Sequence, residues 1–331
     1  MSARLPIDAL GARGLERVLV TGANGFIGRA LCAHLGAHGV AVTALTRDTT
    51  VLPGATRVHA LGDFTGVRDW DALLADNDAV VHLAALTHDG TRGAASARFR
   101  AVNVDLSVRV AEAALACGIE RFVYLSSIKV NGESSRRDGD RIHAYQGSDA
   151  ARPEDNYGRS KLAAEQALTA RWPRAHGALT ILRPPLVFGA GQKGNLVRLM
   201  DLLARGLPLP CGGIDNRRSL IYVDNLVDAI VCALGVAVAG VRCYTVADLD
   251  VSTPDLVRAL AGGLGVQVKL IALPTVCLRF LAHWPVIGGS VRRLCDTLVL
   301  DASAIRAELG WQPAIAFDAA IARTCAAWRQ A

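Results

Sequence analysis

A chain of 331 residues, 51% hydrophobic and with a formal net charge of +6, has the makings of one large or two moderate globular domains with a substantial core. It holds no uncharged apolar run of roughly 18 residues to span a bilayer, no signal-type apolar segment near its start, and no aromatic-interleaved basic stripe for nucleic acid. Its eight cysteines form no C-x-x-C pair and mostly sit among apolar neighbours, which points to a reducing cytoplasm and to no metal site.

Residues 1–16 are expected to be a loose leader. Arg17 to Val20 reads as a buried strand, followed by Thr21-Gly22-Ala23-Asn24-Gly25-Phe26-Ile27-Gly28 and a helix to about His38, with Gly39 as its stop. A strand, a glycine-rich turn and a helix start form a phosphate-binding unit. Gly22 permits the tight turn, Gly25 lets backbone approach a pyrophosphate, and Gly28 lets helix and strand pack closely. Further strands are expected at Val40–Leu45, Val58–Ala60, Ala79–Leu83 and Arg121–Ser127, with helices over Val67–Ala75 and Ala101–Cys117. This alternation predicts an α/β fold with a doubly wound parallel sheet. The expected division is a cofactor domain over 15–185, to which later segments return, and a smaller, mainly substrate domain over 186–331.

In open α/β sheets the strand ends carry the ligands. Asp63, just past the third strand, can accept an adenine amino group or cap a turn. Where a dinucleotide site selecting a 2′-hydroxyl has an acid, the second strand here ends in Thr46-Arg47, and Arg47 suits a 2′-phosphate. Tyr157 and Lys161 lie four apart on one expected helix, so both project from one face. A nearby ammonium stabilises phenolate and lowers the tyrosine pKa toward working pH, which makes Tyr157 a proton donor and acceptor for an alcohol or carbonyl oxygen. Ser127, at the end of its strand, can hydrogen-bond the same oxygen.

Together, TGANGFIG at 21–28, GD at 62–63, VHLAA at 81–85, SSIKVNGE at 126–133, YGRSK at 157–161, LRPPLVFG at 182–189, RRSLIYVDNLVDAI at 217–230 and LGWQP at 309–313 resemble the extended short-chain dehydrogenase/reductase family. The resemblance covers Arg17 to Pro313 and implies a Rossmann fold, with Tyr157 as acid/base, Lys161 as its pKa partner and ribose ligand, and Ser127 as second hydroxyl. It implies a cofactor surface of Gly22, Asn24, Gly25, Phe26, Ile27, Gly28, Arg47, Asp63, Phe64, Leu83, Ala84, Ala85, Asn103, Tyr157, Lys161 and Pro184. It further implies nucleotide-sugar contacts from Thr87, Ser127, Lys129, Asn195 and Arg218, with the arginine fork matched to diphosphate oxygens.

Asn195 is expected in a loop before a helix over Leu196–Leu203, and Arg218 just before a strand over Leu220–Asp224. A helix is expected to start at Thr253-Pro254. The apolar stretch Leu270–Trp284 is expected to cover the substrate pocket, with weak peripheral membrane contact as its other reading. The SSIKVNGE and KGN segments, with no acid after the second strand, look most like bacterial UDP-sugar 4-ketoreductases that make N-acetylated 6-deoxyhexosamines for surface polysaccharide. The expected activity is therefore NADP(H)-dependent reduction of a UDP-4-keto-6-deoxy-N-acetylhexosamine, with NAD(H) as the other cofactor. The alternative is a UDP-hexose or N-acetylhexosamine 4-epimerase with bound NAD. A 4,6-dehydratase lacks its acid pair in Ser127-Ile128-Lys129, and a silent cofactor sensor would not need the Ser127/Tyr157/Lys161 set. The resemblance also implies a homodimer built on the helices of Asn103 and Tyr157.

Overall fold

The computed structural model describes residues 15–87, 95–139, 141–172, 176–236, 238–273 and 294–330. In chain order the elements are β1 (Arg17–Thr21), α1 (Phe26–Ala37), β2 (Ala41–Thr46), β3 (Arg57–Ala60), α2 (Trp70–Leu74), β4 (Ala79–His82), α3 (Ala95–Phe99), α4 (Leu106–Ala116) and β5 (Arg121–Leu125). A small hairpin follows, β6 (Arg137–Asp138) and β7 (Arg141–Ile142), then α5 (Asn156–Arg171), β8 (Ala178–Arg183), β9 (Leu186–Phe188) and α6 (Asn195–Ala204). The chain continues through β10 (Arg218–Tyr222), α7 (Val223–Leu234), β11 (Gly240–Thr245), β12 (Leu249–Val251), α8 (Thr253–Leu264), α9 (Ser303–Leu309) and α10 (Phe317–Arg329).

Seven strands form one parallel sheet in the order β11-β8-β5-β4-β1-β2-β3. Its central strands are apolar on both faces, as a sheet covered by helices on each side requires. Val18 and Val20 of β1 join a core with Leu31 and Leu35 of α1 and Leu226 and Ile230 of α7. Leu19, Val80, Phe122 and Tyr124 face the other core, with Val110 of α4 and Leu168 of α5. A second, three-stranded sheet, β12-β10-β9, gathers its own core with α6, α8 and α10, including Met200, Leu260 and Ile321. β11 returns to the large sheet after β9 and β10 have built the small one. The LGWQP segment is fastened to α7, where Trp311 Nε1 donates to Asn225 O at 3.1 Å.

Several expected boundaries move. The helix expected over Val67–Ala75 is only Trp70–Leu74, because Asp69 caps its start by accepting from Ala72 N. The expected continuous helix over Ala101–Cys117 opens with a π-helical stretch, Arg100–Asp105, before regular α4. β10 begins at Arg218 itself, and Val223 and Asp224 open α7 instead of ending a strand. The helix start at Thr253-Pro254 is as expected, with Ser252 accepting from Asp255 N. β8, β9 and β11 were not among the expected strands. The leader up to residue 14, and the stretch Leu270–Trp284 from residue 274 on, lie outside the described residues.

α1 lies close against the loop between β2 and β3. A Cβ on Gly36 would collide with the Gly54 backbone. Alanine is worth about 1 kcal/mol over glycine in a helix interior, but overpacking against fixed backbone costs about 1–3 kcal/mol. Gly36→Ala is therefore expected to lower unfolding free energy in urea titrations. A stabilised variant would contradict this packing.

Candidate active site

The sheet changes winding direction between β1 and β4, and the crevice opens at the carboxyl ends of these strands. Gly22 lies there at φ +66°, where a Cβ would sit 2.8 Å from Ala84 N and 2.9 Å from Ala84 Cα. A Cβ on Gly28 would lie 2.5 Å from Gly22 O and 2.7 Å from Ala23 Cα. α1 starts after Gly25 with no side-chain cap and no acid in its first turn. Its first N–H groups thus keep no intrahelical partner and present a positive dipole end to the crevice. Phe26 and Ile27 pack their side chains toward the core of the small sheet, so what they offer a ligand is backbone. Arg29 holds Asn24, through Asn24 Oδ1 and through Asn24 O at 3.1 Å from Nε.

These features fit a dinucleotide. The cradle is one that added Cβ atoms would fill, and Ser126 Oγ is a buried hydroxyl with no partner among the described residues. Leu83, Ala84 and Ala85 follow β4 along the crevice, and Thr87 is exposed. Arg47 is exposed just past β2. Asp63 takes the capping role: its Oδ1 accepts from Thr65 N at 2.9 Å and Thr65 Oγ1 at 2.8 Å, and those bonds hold its carboxyl below the usual range. Phe64 is not placed as a side-chain ligand. Its ring is buried, 6.5 Å from Trp70 and nearly parallel to it.

The catalytic residues converge because α5 is seated on the turn that follows β5. Asp155 caps α5, its Oδ1 accepting from Gly158 N at 2.7 Å, while its Oδ2 takes the Lys129 ammonium at 2.5 Å. A Cβ on Gly158 would come within 2.6 Å of Lys129 O, so only glycine allows this approach. Tyr157 and Ser127 are thereby hydrogen-bonded. Asn103, fully buried, receives Leu86 N on Oδ1 at 2.7 Å and donates to Leu86 O and to Ser160 Oγ, both at 2.9 Å. Ser160 in turn donates to Tyr157 O at 2.7 Å.

Lys161 departs from expectation. Its ammonium donates to Leu125 O at 2.7 Å and to Tyr124 Oη at 3.2 Å, above the Tyr124 ring. Burial pushes it down to about 7, with Glu165 pulling back. The expected lowering of Tyr157 is absent here: burial and the Asp155 carboxylate raise the phenol, and only the Ser127 hydrogen bond opposes them. Pro184 is buried and Pro184 O accepts from Ile128 N at 3.0 Å.

In the second half, Asn195 is the exposed first residue of α6, not a loop residue, and follows Gly194 at φ +101°. Gln192, in the same loop, has a buried Nε2 without a partner among the described residues. Arg218 is half-buried and donates to Asp296 O at 2.9 Å. Lys129 is half-buried between Asp155 and Glu133, the latter at 2.8 Å.

Sequence reasoning missed the supports behind this set. Glu165 makes a buried two-pronged pair with Arg183, at 2.9 Å and 2.5 Å, and Arg183 also reaches Asn131 Oδ1 at 3.0 Å. The signal was there in the helical spacing 157, 161, 165. Tyr124, Thr21, His82 and Ser107 were also missed as supports, and nothing in their spacing announces the contacts that they make.

Fold and site together define a dinucleotide-dependent enzyme of the doubly wound class. Residues 18–247 match the NAD dependent epimerase/dehydratase family. The chain is 33% identical to a UDP-glucose 4-epimerase of Vibrio cholerae over 96% of each chain. It is 27% identical to the N-acetyl-alpha-D-glucosaminyl-diphospho-ditrans,octacis-undecaprenol 4-epimerase of Escherichia coli O157:H7 over 88% of each. Among solved structures, MoeE5 in complex with UDP-glucuronic acid and NAD superposes with a TM-score of 0.74 at 26% identity, covering 95% of this chain and 99% of that one. The protein belongs to the NAD dependent epimerase/dehydratase family. No helix among the described residues is long and apolar enough to cross a membrane.

The Lys161 shift has a stability consequence. Its value near 7 lies below the ordinary 10.5, so between those values the unfolded chain binds more protons. The drag of this lysine on stability is full below about pH 7 and fades toward about pH 10.5. The stability difference between the parent and Lys161→Met should shift toward the parent as pH rises, by up to about 1.4 kcal/mol per pH unit. Matched urea titrations of the cofactor-free proteins at about pH 6 and about pH 9 check this; a pH-independent difference would contradict it.

Proposed function

We propose that the protein inverts C4 of a UDP-hexose or UDP-N-acetylhexosamine through a transient 4-keto sugar. The observation that carries this reading is the hydrogen bond between the Tyr157 and Ser127 hydroxyls just past the carboxyl end of β5, the strand beside β4, with Lys161 buried nearby against Leu125 O. Likeness along nearly the whole chain to two 4-epimerases supports the choice of C4. Tyr157 takes the proton of the C4 hydroxyl and returns it after the sugar has turned, while Ser127 holds the oxygen and damps its changing charge. A bound nicotinamide would supply hydride transfer and, when oxidised, a positive charge. Asn195, Arg218 and the Gln192 amide lie in the half of the chain assigned to the UDP moiety, and Lys129 donates its backbone N–H to Ser127 Oγ at 3.3 Å while its ammonium is held by Asp155 and Glu133.

Purified protein supplied with NAD and either UDP-glucose or UDP-N-acetylglucosamine is expected to form the C4 epimer, followed by proton NMR, with no net gain of reduced cofactor. No epimer from either sugar would refute the assignment. Tyr157→Phe keeps the ring and deletes the proton, so it should lower kcat roughly 10²–10⁴-fold with cofactor still bound. Ser127→Ala should cost less.

Arg47 favours a second reading, net reduction of a UDP-4-keto-6-deoxy-N-acetylhexosamine by NADPH for surface polysaccharide. Arg47 is exposed just past the end of β2, the strand end that faces the ribose 2′ position in folds of this class, and a charge-assisted hydrogen bond to a 2′-phosphate contributes about 1.5–3 kcal/mol. Under that reading the keto sugar consumes NADPH in preference to NADH, and Arg47→Ala erodes the preference while sparing NADH. Equal kcat/KM for the two cofactors in the parent would sink it.

We also infer a homodimer through the outer faces of the π-helical stretch Arg100–Asp105, α4 and α5, where Val104, Val108, Ala163 and Ala167 line one open groove. Light scattering at micromolar concentration should give about twice 34.9 kDa; the single-chain mass would exclude it.

A further inference from the structure

His82 closes β4 with no solvent exposure, wedged between the large sheet and α4. Its Nδ1 lies 2.8 Å from Thr21 Oγ1 and its Nε2 lies 2.9 Å from Ser107 Oγ. The proton positions follow from the neighbours. Thr21 Oγ1 already accepts from Leu83 N at 3.2 Å and Ala84 N at 3.1 Å, so its own hydrogen goes to Nδ1. The imidazole proton is then on Nε2 and is donated to Ser107, whose hydrogen goes to Asn103 O at 2.8 Å. Ser107 is also hydrogen-bonded to Tyr124, and the Tyr124 oxygen receives the Lys161 ammonium. Two lines therefore meet at Ser107, one from the glycine-rich turn and one from Lys161. Every group in them is satisfied in a single orientation. Burial and the Lys161 charge push His82 down to about 3, so the ring stays neutral.

We propose that His82 is a positioning residue, a neutral Nε2-protonated imidazole that fastens the floor of the dinucleotide crevice to the helix following Asn103 and to the hydrogen-bond line of Lys161. The Leu83–Ala84 backbone that Gly22 abuts is held on β1 through Thr21, and Thr21 is held through His82. An imidazolium would face the Thr21 hydroxyl with a second donor, and the opposite tautomer would leave Ser107 without one. The inference rests on the dinucleotide-dependent reading of the crevice and is independent of which sugar is turned over.

Two measurements test it. Long-range nitrogen–proton spectra of histidine-labelled protein, with His82→Phe as the assignment control and Ser107→Ala in its place should that variant not fold, should show a neutral ring protonated on Nε2 from about pH 5 to about pH 8. A protonated ring or an Nδ1 proton would overturn the proposal. The second readout is the Kd for NAD(H) and NADP(H). Thr21→Val should raise it roughly tenfold or more, as the loss of a buried hydrogen bond implies, while Thr21→Ser keeps the hydroxyl and should stay near the parent. A purely structural role would lower the thermal midpoint and leave the Kd of the folded protein alone. An unchanged Kd in folded Thr21→Val, or an equal loss in Thr21→Ser, denies the role of His82; no dinucleotide binding by the parent denies the functional reading instead.

Discussion

The buried ammonium of Lys161 is the constraint around which the site is arranged. A lysine head group is costly to bury without partners. Here Leu125 O and the Tyr124 hydroxyl accept two of its protons, and Glu165, one helical turn on, supplies the opposing charge. That carboxylate is not Lys161's alone. Arg183 grips it with both prongs, and Arg183 is in turn fixed by Asn131 and Gly147. Two buried cations thus share one buried anion, so the lysine charge is incompletely offset: burial displaces it to about 7, and Glu165 pulls it only part of the way back. A site with this imbalance favours whatever brings negative charge to it, and the developing phenolate of Tyr157 is such a group.

Tyr157 is poised in the opposite sense. Asp155 anchors the start of α5 and so delivers Tyr157 to Ser127, yet the same carboxylate opposes ionisation of the phenol. The Lys129 ammonium moderates that field, although it is shared between Asp155 and Glu133. Without a ligand, burial keeps the tyrosine protonated and disfavours the lysine ammonium. In the proposed reaction, a positive charge brought by the cofactor would favour the phenolate and so couple proton transfer to occupancy of the cofactor site.

Much of this was legible in the residues. The glycine turn and the Tyr157/Lys161 spacing fix local geometry, because a tight turn needs Gly22 and a helical face needs a separation of four. The first five parallel strands stand out as short apolar runs between polar breaks. β8 and β11 were not read, because such runs give no periodicity that separates a strand from a buried helix segment. Asp63 caps a turn through Oδ1, which sequence alone could not separate from an adenine contact, because the cap depends on the position of Thr65. The direction of the Lys161 side chain is invisible for the same reason: spacing assigns a face, while the choice between Tyr157 and Leu125 O belongs to tertiary packing. His82 was seen only as part of a motif, since its partners come from β1 and α4.

The most direct test is the ionisation of Tyr157 itself, taken as the ultraviolet difference between the parent and Tyr157→Phe across pH, with and without oxidised cofactor. Subtraction removes the other tyrosines. Without cofactor no phenolate should appear below about pH 10, the ordinary tyrosine value. With oxidised cofactor a phenolate signal should appear well below it. A Tyr157 that already titrates near neutrality in the cofactor-free protein, or one that cofactor leaves unmoved, would contradict the account.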